Sequence, residues 1–235
     1  MPDMRFTSLA SSSAGNAYIV DDGKNRLLLE CGLTYPKLQK SVGFSLTEIR
    51  ACLVSHEHKD HAKCAANLLK NGMNVYLSEG TAKALELEQA ILIEAGEQFH
   101  IGTFDIMPFT TFHDAAEPLG FLIKSRVDGE TLVFATDTVN LRYRFPEVTI
   151  LAIEANYDKH ILERCERMPE KVRHRITNSH MEIGTLCDYL AGLDLSSCRE
   201  IYLLHLSDAT SHEREFLDKV RSLVPPQITV RACGK

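Results

Sequence analysis

Ser55-His56-Glu57-His58-Lys59-Asp60-His61 contains three histidines and one aspartate within six residues. It follows an apolar run at 51–54, which predicts a buried strand, and it precedes a helix predicted over 62–69. The stretch is therefore predicted to be a loop at the carboxyl end of a strand. Its histidines and Asp60 are ligand types that suit zinc, manganese or iron. The competing interpretation is a polar loop that contains histidines by chance.

The spacing within this loop predicts two directions for its side chains. His56 and His58 are two residues apart, so an extended backbone directs both to one side. Asp60 and His61 follow where the chain is expected to bend, so they can point at a second, nearby position. The loop by itself therefore indicates two neighbouring binding positions.

The composition allows one large α/β domain and argues against other classes. The chain has 235 residues, of which 44% are hydrophobic, so it can bury a sizeable core. A net charge of −6 argues against binding a long duplex through a broad basic face. The seven cysteines form no C-x-x-C pair, which is typical of core packing in a reducing compartment. Without an apolar span or secretory signal, we expect a cytoplasmic protein.

Strand and helix patterns alternate along the chain without a linker or a repeat, which predicts one domain over residues 1–235. Strands are predicted at 4–10, 16–20, 26–30, 51–54, 74–77, 104–109, 120–127, 130–135, 149–153, 200–204 and 227–230. Helices are predicted as two short pieces within 34–50 and over 62–69, 79–89, 161–168, 181–191 and 211–223.

Three further candidate ligands, His113, Asp137 and His205, follow runs that predict strands. In a layered α/β fold, the strand ends share an edge where sites form. Taken singly, His113 is as well explained by a structural role, and Asp137 by an Asx turn that closes a strand. Taken together, the candidates are too many for one tetrahedral ion and suit two: His56, His58, Asp60, His61, His113, Asp137 and His205.

The H-x-H-x-D-H pattern at 56–61 resembles the signature of the metallo-β-lactamase superfamily. This resemblance implies an α/β fold, a metallo-β-lactamase-like αββα four-layer sandwich with a two-metal site on its rim. It assigns His56, His58 and His113 to one divalent metal ion. It assigns Asp60, His61 and His205 to the other ion, with Asp137 between the two.

Glu30 ends the third predicted strand, at a position where members of this superfamily commonly have Asp. The resemblance implies that this acid orients a metal-bound histidine from behind. Because Glu is one methylene longer than Asp, the geometry of that contact must differ. The alternative is that Glu30 is only a solvated strand end.

Five segments resemble motifs of the small bacterial and phage DNases of the YycJ (WalJ) type within this superfamily. They occur in the right order and cover nearly the whole chain: Ser11–Asn16, His113–Phe121, Glu154–Asp158, Ser179–Met181 and His205–Ser207. Ala14 and Val139 depart from the pattern of these relatives, as Glu30 does, so the substrate is less firmly indicated than the metals.

This narrower resemblance implies that His180 contacts the scissile phosphate. We predict that His180 stabilises the phosphate or protonates the leaving oxygen, next to a helix N-terminus that also favours an anion. Asp60 is the second expected catalytic residue. Ser12 and Ser13 are expected either to donate hydrogen bonds to the substrate or only to form the first turn.

Two ions about 3.5–4 Å apart would share a bridging hydroxide, because they lower the pKa of the bound water toward ~7. We therefore expect a hydrolase with two divalent ions, zinc or manganese. The first hypothesis is an exonuclease-like phosphodiesterase acting on DNA or single-stranded nucleic acid. The alternatives are a cyclic-nucleotide phosphodiesterase, a glyoxalase-type thioester hydrolase and a metal-holding binding protein without turnover.

Overall fold

A six-stranded sheet carries the histidine-rich loop in this computed structural model, which describes residues 3–166 and 168–234. Its strands, in their order across the sheet, are β1 (Arg5–Ala10), β2 (Ala17–Asp21), β3 (Arg26–Leu29), β4 (Ile49–Leu53), β5 (Asn74–Leu77) and β6 (Ile91–Leu92). Strands β1 to β3 pair antiparallel, and β3 to β6 pair parallel. The carboxyl ends of β3 and β4 therefore lie side by side, where the loop begins.

Short helices connect the parallel strands of this sheet: α1 (Tyr35–Ser41), α2 (Lys59–Ala62), α3 (Ala65–Lys70) and α4 (Glu79–Leu85), with a 3₁₀ turn at Leu46–Glu48. The helix predicted over 62–69 is divided between α2 and α3. Cys64 leaves the helical conformation (φ −111°, ψ 16°), and its N–H donates to the Cys31 carbonyl oxygen at 3.0 Å. This pairing ties the start of α3 to the chain that follows β3.

Apolar side chains of these strands and helices form a buried core, as the alternation along each strand requires. Leu28 of β3, Cys52 of β4 and Val75 of β5 belong to it, and Leu68 of α3 packs with the same group. The cysteines are free and five of the seven are buried, which agrees with the prediction of core packing.

Three strands form an antiparallel meander: β7 (Phe99–Ile101), β8 (Phe104–Thr110) and β9 (Leu119–Ser125). The strands predicted at 104–109 and 120–127 correspond to β8 and β9. The sequence patterns missed β7 and β6, because three and two residues are too few to show an alternation.

Four parallel strands carry the later candidate residues: β10 (Thr131–Ala135), β11 (Ile150–Glu154), β12 (Glu200–Leu204) and β13 (Thr229–Ala232). The helices among them are α5 (Lys159–Arg164), α6 (Glu170–Ser179), α7 (Ile183–Ala191) and α8 (Glu213–Leu223). The helix predicted over 161–168 is α5, which ends before Pro169; Arg167 lies outside the described residues. Phe216 and Val220 of α8 are fully buried.

Contacts between residues divide the described chain into two compact units. The first comprises residues 3–110 and 115–131, and the second comprises residues 111–114, 132–166 and 168–234. The single domain expected over residues 1–235 stays a prediction. Of the helices in the described ranges, none combines the length and the apolar character that crossing a bilayer requires.

Candidate metal centre

The loop between β4 and α2 brings two imidazoles of the first unit together. His56 Nε2 lies 3.1 Å from His58 Nδ1. The other ring nitrogen of His56, Nδ1, lies 2.8 Å from the Ser55 hydroxyl oxygen. Because Ser55 occupies Nδ1, Nε2 is the nitrogen of His56 that is left to share a cation with His58.

Asp60 and His61 form a second group on the same loop. His61 Nε2 lies 3.4 Å from Asp60 Oδ2 and 3.2 Å from the Asn16 side-chain nitrogen. The backbone N–H of Asn16 also donates to the Asp60 carbonyl oxygen at 2.7 Å. Asn16 was missed as a site residue, because its only signal in the sequence is that it ends the Ser-rich first turn.

Glu30 contacts His61 from the side opposite Asp60. Its Oε2 lies 3.4 Å from His61 Nδ1, and its Oε1 accepts the backbone N–H of Ser55 at 3.2 Å. The side chain is fully buried, which excludes a solvated strand end. Burial raises the pKa of the Glu30 carboxyl, although His61 and Ser55 oppose this effect.

Gly32 lets the chain that follows β3 approach the loop closely. A Cβ atom at this position would lie 1.6 Å from the Asp60 carbonyl oxygen. Next to Gly32, the Cys31 N–H donates to the His61 carbonyl oxygen at 2.7 Å. The backbone of the loop is therefore positioned by this approach as well as by its own sequence.

In the second unit, the carboxyl ends of three adjacent parallel strands collect titratable side chains. Asp137 follows β10, Glu154 ends β11 and His205 follows β12. His205 Nδ1 lies 3.0 Å from Asp137 Oδ1. Together with His180, these residues offer ligand atoms that all lie within 4.8 Å of one another. Buried imidazoles and carboxylates at this density fit a divalent cation.

His113 is oriented by a backbone carbonyl. Its Nδ1 donates to the Ser179 carbonyl oxygen at 2.7 Å. Its Nε2 lies 3.5 Å from Asp137 Oδ2 and 3.3 Å from Asp114 Oδ1. A hydrogen bond from Nδ1 to a carbonyl leaves Nε2 as the nitrogen with a lone pair, which is the form that binds metals.

Glu154 is a further functional candidate, which the sequence analysis identified only as part of the Glu154–Asp158 motif. Its Oε2 accepts the backbone N–H groups of Thr138 and Met181 at 2.8 and 3.1 Å. Its Oε1 lies 2.7 Å from His180 Nδ1 and 3.2 Å from His205 Nδ1. The one signal in the sequence was an acid that ends a wholly apolar strand.

Glu154 and His180 each stabilise the charged form of the other. Burial alone would raise the pKa of the Glu154 carboxyl, yet its pKa is lowered because His180 and His205 stabilise the charged form. Burial alone would lower the pKa of the His180 imidazole, yet the Glu154 and Asp137 carboxylates raise it. The His180 side chain keeps 13% of its surface exposed, so it is the accessible member of the pair.

The prediction that a helix N-terminus beside His180 favours an anion is wrong. His180 directly follows the last residue of α6, and α7 begins only at Ile183. The Glu182 carboxylate accepts the N–H groups of Gly184 and Thr185 at 2.6 and 3.1 Å. That N-terminus already has an anion of its own, so it cannot serve a phosphate.

Ser12 and Ser13 differ in their surroundings. The Ser12 hydroxyl accepts the Ala14 N–H at 3.2 Å, and its backbone N–H donates to Asn16 Oδ1 at 3.0 Å. Ser12 is buried, whereas Ser13 is exposed. These bonds give Ser12 a turn-forming role, and a contact of either serine with substrate stays a prediction.

Left-handed backbone is concentrated at the candidate site. Six non-glycine residues have a positive φ within the described ranges, and three of them are Glu30 (64°), Asp137 (44°) and His205 (54°). Each follows the end of a parallel strand. Such conformations cost of order 1–3 kcal/mol each and cluster where structure serves function.

This chain is similar to a known family of domains and to relatives named exodeoxyribonuclease. The model of the β-lactamase superfamily domain matches residues 25–206. Exodeoxyribonuclease YycJ of Bacillus anthracis is 29% identical over 224 residues, which cover 87% of this chain and 83% of the relative. Exodeoxyribonuclease WalJ of Streptococcus pneumoniae (strain D39) is 28% identical over 222 residues, which cover 86% and 81%.

Among solved structures, the metallo-β-lactamase fold protein YhfI from Bacillus subtilis is similar with a TM-score of 0.76. The sequences are 17% identical, and the match covers 100% of this chain and 98% of YhfI. At that identity the match shows the fold alone. It confirms the predicted α/β fold class of metallo-β-lactamase type.

Proposed function

Since this chain belongs to the β-lactamase superfamily and is a metal-dependent hydrolase, we propose that it is a phosphodiesterase that degrades DNA in the manner of an exonuclease. The match to the family model confirms the family resemblance that was expected from the sequence. The proposal of a DNA substrate is supported by two relatives named exodeoxyribonuclease, each similar over most of its length.

The proposed metal ligands are the seven residues expected from the sequence, with two zinc or manganese ions as cofactors. In this proposal His56, His58 and His113 would hold one ion, Asp60, His61 and His205 would hold the other, and Asp137 would be shared by both. In support, His56, His61 and His113 each contact another group through Nδ1, and the Nε2 of each lies 3.1–3.5 Å from another candidate ligand. Bound ions of this kind supply a water molecule of lowered pKa and positive charge for the phosphate.

The pair of Glu154 and His180 is the observation that carries the choice of a phosphodiester. Glu154 holds His180 Nδ1 at 2.7 Å and favours its protonated form. A protonated imidazole beside the ligand cluster suits an alkoxide leaving group, which needs a proton as the P–O bond breaks. A thiolate leaving group needs this help less, because a thiol ionises near pH ~8.5.

Each residue then has a distinct role in the proposed reaction. His180 protonates the leaving oxygen or stabilises the phosphate, and Glu154 orients it. Asp60, which lies 3.4 Å from His61 Nε2, orients the attacking water. Glu30 keeps His61 in place from behind, and Ser12 and Ser13 stay candidate substrate contacts. The cytoplasmic location expected from the sequence stays a prediction.

A substrate panel tests the proposal. The protein, loaded with manganese or zinc, is offered end-labelled single- and double-stranded DNA, RNA, a cyclic nucleotide and a thioester. We expect stepwise release of nucleotides from DNA. Hydrolysis of the thioester alone would overturn the proposal, and hydrolysis of the cyclic nucleotide alone would replace it with the small-nucleotide alternative.

A further inference from the structure

A segment of alternating arginine and aromatic residues lies between Asp137 and β11. It reads Arg142-Tyr143-Arg144-Phe145 and is called the Arg-aromatic segment below. Arg142, Tyr143 and Arg144 are exposed. In a chain with a net charge of −6, this is a local cationic stretch that contains no acid. It played no part in the proposed hydrolysis.

The segment is anchored to its surroundings. Leu141, which precedes it, is buried. The Tyr189 hydroxyl donates to the Tyr143 carbonyl oxygen at 2.9 Å. Arg144 Nη1 donates to the Gly192 carbonyl oxygen at 2.5 Å, at the end of α7. Both bonds come from one helix end and hold the backbone of the segment in place.

Two rings of the segment stack at the surface. The ring centroids of Tyr143 and Phe145 lie 5.9 Å apart, with an angle of 24° between the ring planes. Tyr143 is 39% exposed, although large aromatic side chains are usually more buried. A stacked, partly exposed aromatic pair is the kind of surface on which nucleic-acid bases stack.

Arg142 connects the segment to the candidate metal centre. Its guanidinium carbon lies 4.3 Å from the centroid of the Phe112 ring, and Phe112 directly precedes the proposed ligand His113. Phe112 is itself fixed, because its N–H donates to the Thr138 hydroxyl at 3.0 Å. The guanidinium thus lies over the ring of the residue that precedes a proposed ligand in the sequence.

Arg142 also lacks the partner that neutralises other arginines of this unit. Arg175 pairs with Asp114 at 3.1 Å, and Arg199 pairs with Glu200 at 2.5 Å. Among residues 3–166 and 168–234, no carboxylate lies within 4.0 Å of Arg142. Its donors therefore remain available to a phosphate, for which a planar guanidinium is well suited.

We propose that the Arg-aromatic segment, with Phe112, binds single-stranded DNA beside the site of cleavage. Arg142 contacts a backbone phosphate, and the Tyr143 and Phe145 rings stack on bases. A single strand fits better than a duplex, because bases in a duplex already stack on their own neighbours. This inference rests on the proposed DNA substrate and adds the strand type and the residues that bind it.

Binding of a fluorescent oligothymidylate, followed by anisotropy in EDTA, tests the inference apart from catalysis. We expect Arg142→Ala and Tyr143→Leu each to weaken binding about tenfold, the scale of one lost stacking or phosphate contact. Tyr143→Phe, which keeps the ring, should bind like the wild type. Arg214→Ala, which removes an exposed arginine of the same unit from α8, is the matched control and should change nothing.

The outcomes separate the two proposals. If the wild type binds the oligonucleotide but cleaves no phosphodiester when metals are restored, the proposed function fails while the binding surface stands. Cleavage of single strands by a protein whose Arg142 and Tyr143 variants bind like the wild type would overturn only the binding surface. Tighter wild-type binding to a duplex, or no binding to single strands, would overturn it as well.

Discussion

At the scale of single residues, two buried carboxylates position the imidazoles of candidate histidines. Glu30 contacts His61 Nδ1, and Glu154 contacts both His180 and His205. Such partners orient an imidazole and raise its basicity, so their loss weakens a metal site without removing a ligand. Both acids are fully buried. Replacing either of them should therefore act through these contacts and not through contacts with solvent.

Replacing Glu30 by Gln tests this positioning. The amide keeps the size of the side chain but removes the negative charge next to His61. We expect metal affinity to fall about 10- to 100-fold, as measured by competition with a chromogenic chelator. Glu88→Gln, an exposed acid of the same unit, is the control. Unchanged affinity in Glu30→Gln would show that Glu30 only fills space.

Replacing His180 by Ala separates its two possible roles. Loss of a general acid costs about 10²- to 10⁴-fold in rate when the leaving group is a poor one. We therefore expect that loss on a dinucleotide and a smaller loss on bis-p-nitrophenyl phosphate, whose leaving group needs no proton. An equal loss on both substrates would assign His180 to phosphate stabilisation. Loss of bound metal in parallel with activity would make it structural.

Strand ends are the decisive feature at the scale of elements. Glu30 follows β3, Asp137 follows β10 and His205 follows β12. Each of them has a left-handed backbone at the point where the chain leaves its strand. In the first unit, Gly32 then admits the loop backbone. The strand ends thus orient these side chains, at a cost in backbone strain.

Gly32→Ala tests the close approach after β3. The added Cβ would overlap the Asp60 carbonyl oxygen, so we expect a stability loss of about 1–3 kcal/mol by urea denaturation and a marked loss of metal affinity. Gly72→Ala is the control. Unlike Gly32, Gly72 has a positive φ (83°), so an alanine there is strained, but nothing lies within 4 Å of its Cβ. Gly72→Ala should lose stability and keep its metal affinity; the same metal loss in both would contradict the idea.

Glu86 allows an independent check of backbone strain far from any proposed ligand. This exposed residue closes α4 in the left-handed conformation (φ 55°, ψ 42°), where glycine is favoured. We expect Glu86→Gly to stabilise the fold by about 0.5–1 kcal/mol in urea. Ala84→Gly, inside the same helix, should cost about 1 kcal/mol. Destabilisation by both changes would contradict the assigned conformation.

At the scale of the whole molecule, metal binding and stability should be linked. A ligand that binds only the folded state stabilises it by about 2.7 kcal/mol at a concentration of 100 times its Kd. For a chain of this size, that corresponds to a rise in Tm of roughly 5–10 °C. We expect this rise when zinc or manganese is added to EDTA-treated protein and followed by circular dichroism. His58→Ala should show a much smaller rise and no phosphodiesterase activity; an equal rise would remove His58 from the ligand set.

Short-range patterns in the chain were enough to predict much of the fold and the candidate ligands. The strands at 74–77 and 200–204 occur with those bounds, because in each one polar residue is followed by an unbroken apolar run. The H-x-H-x-D-H loop could be recognised because its members are neighbours in sequence. Loop and strand ends are local features, so local sequence determined them.

How those side chains are held depends on contacts between residues that are far apart in the sequence. Glu154 meets His180 across 26 residues, and Asn16 meets His61 across 45, so neither contact leaves a periodic trace. Glu30, Asp137 and His205 adopt a left-handed backbone without the conformational freedom of glycine, and Glu182 occupies the helix end that was expected to attract a phosphate. Packing around the strand ends imposes these arrangements, because it can offset local backbone preferences that the sequence alone expresses.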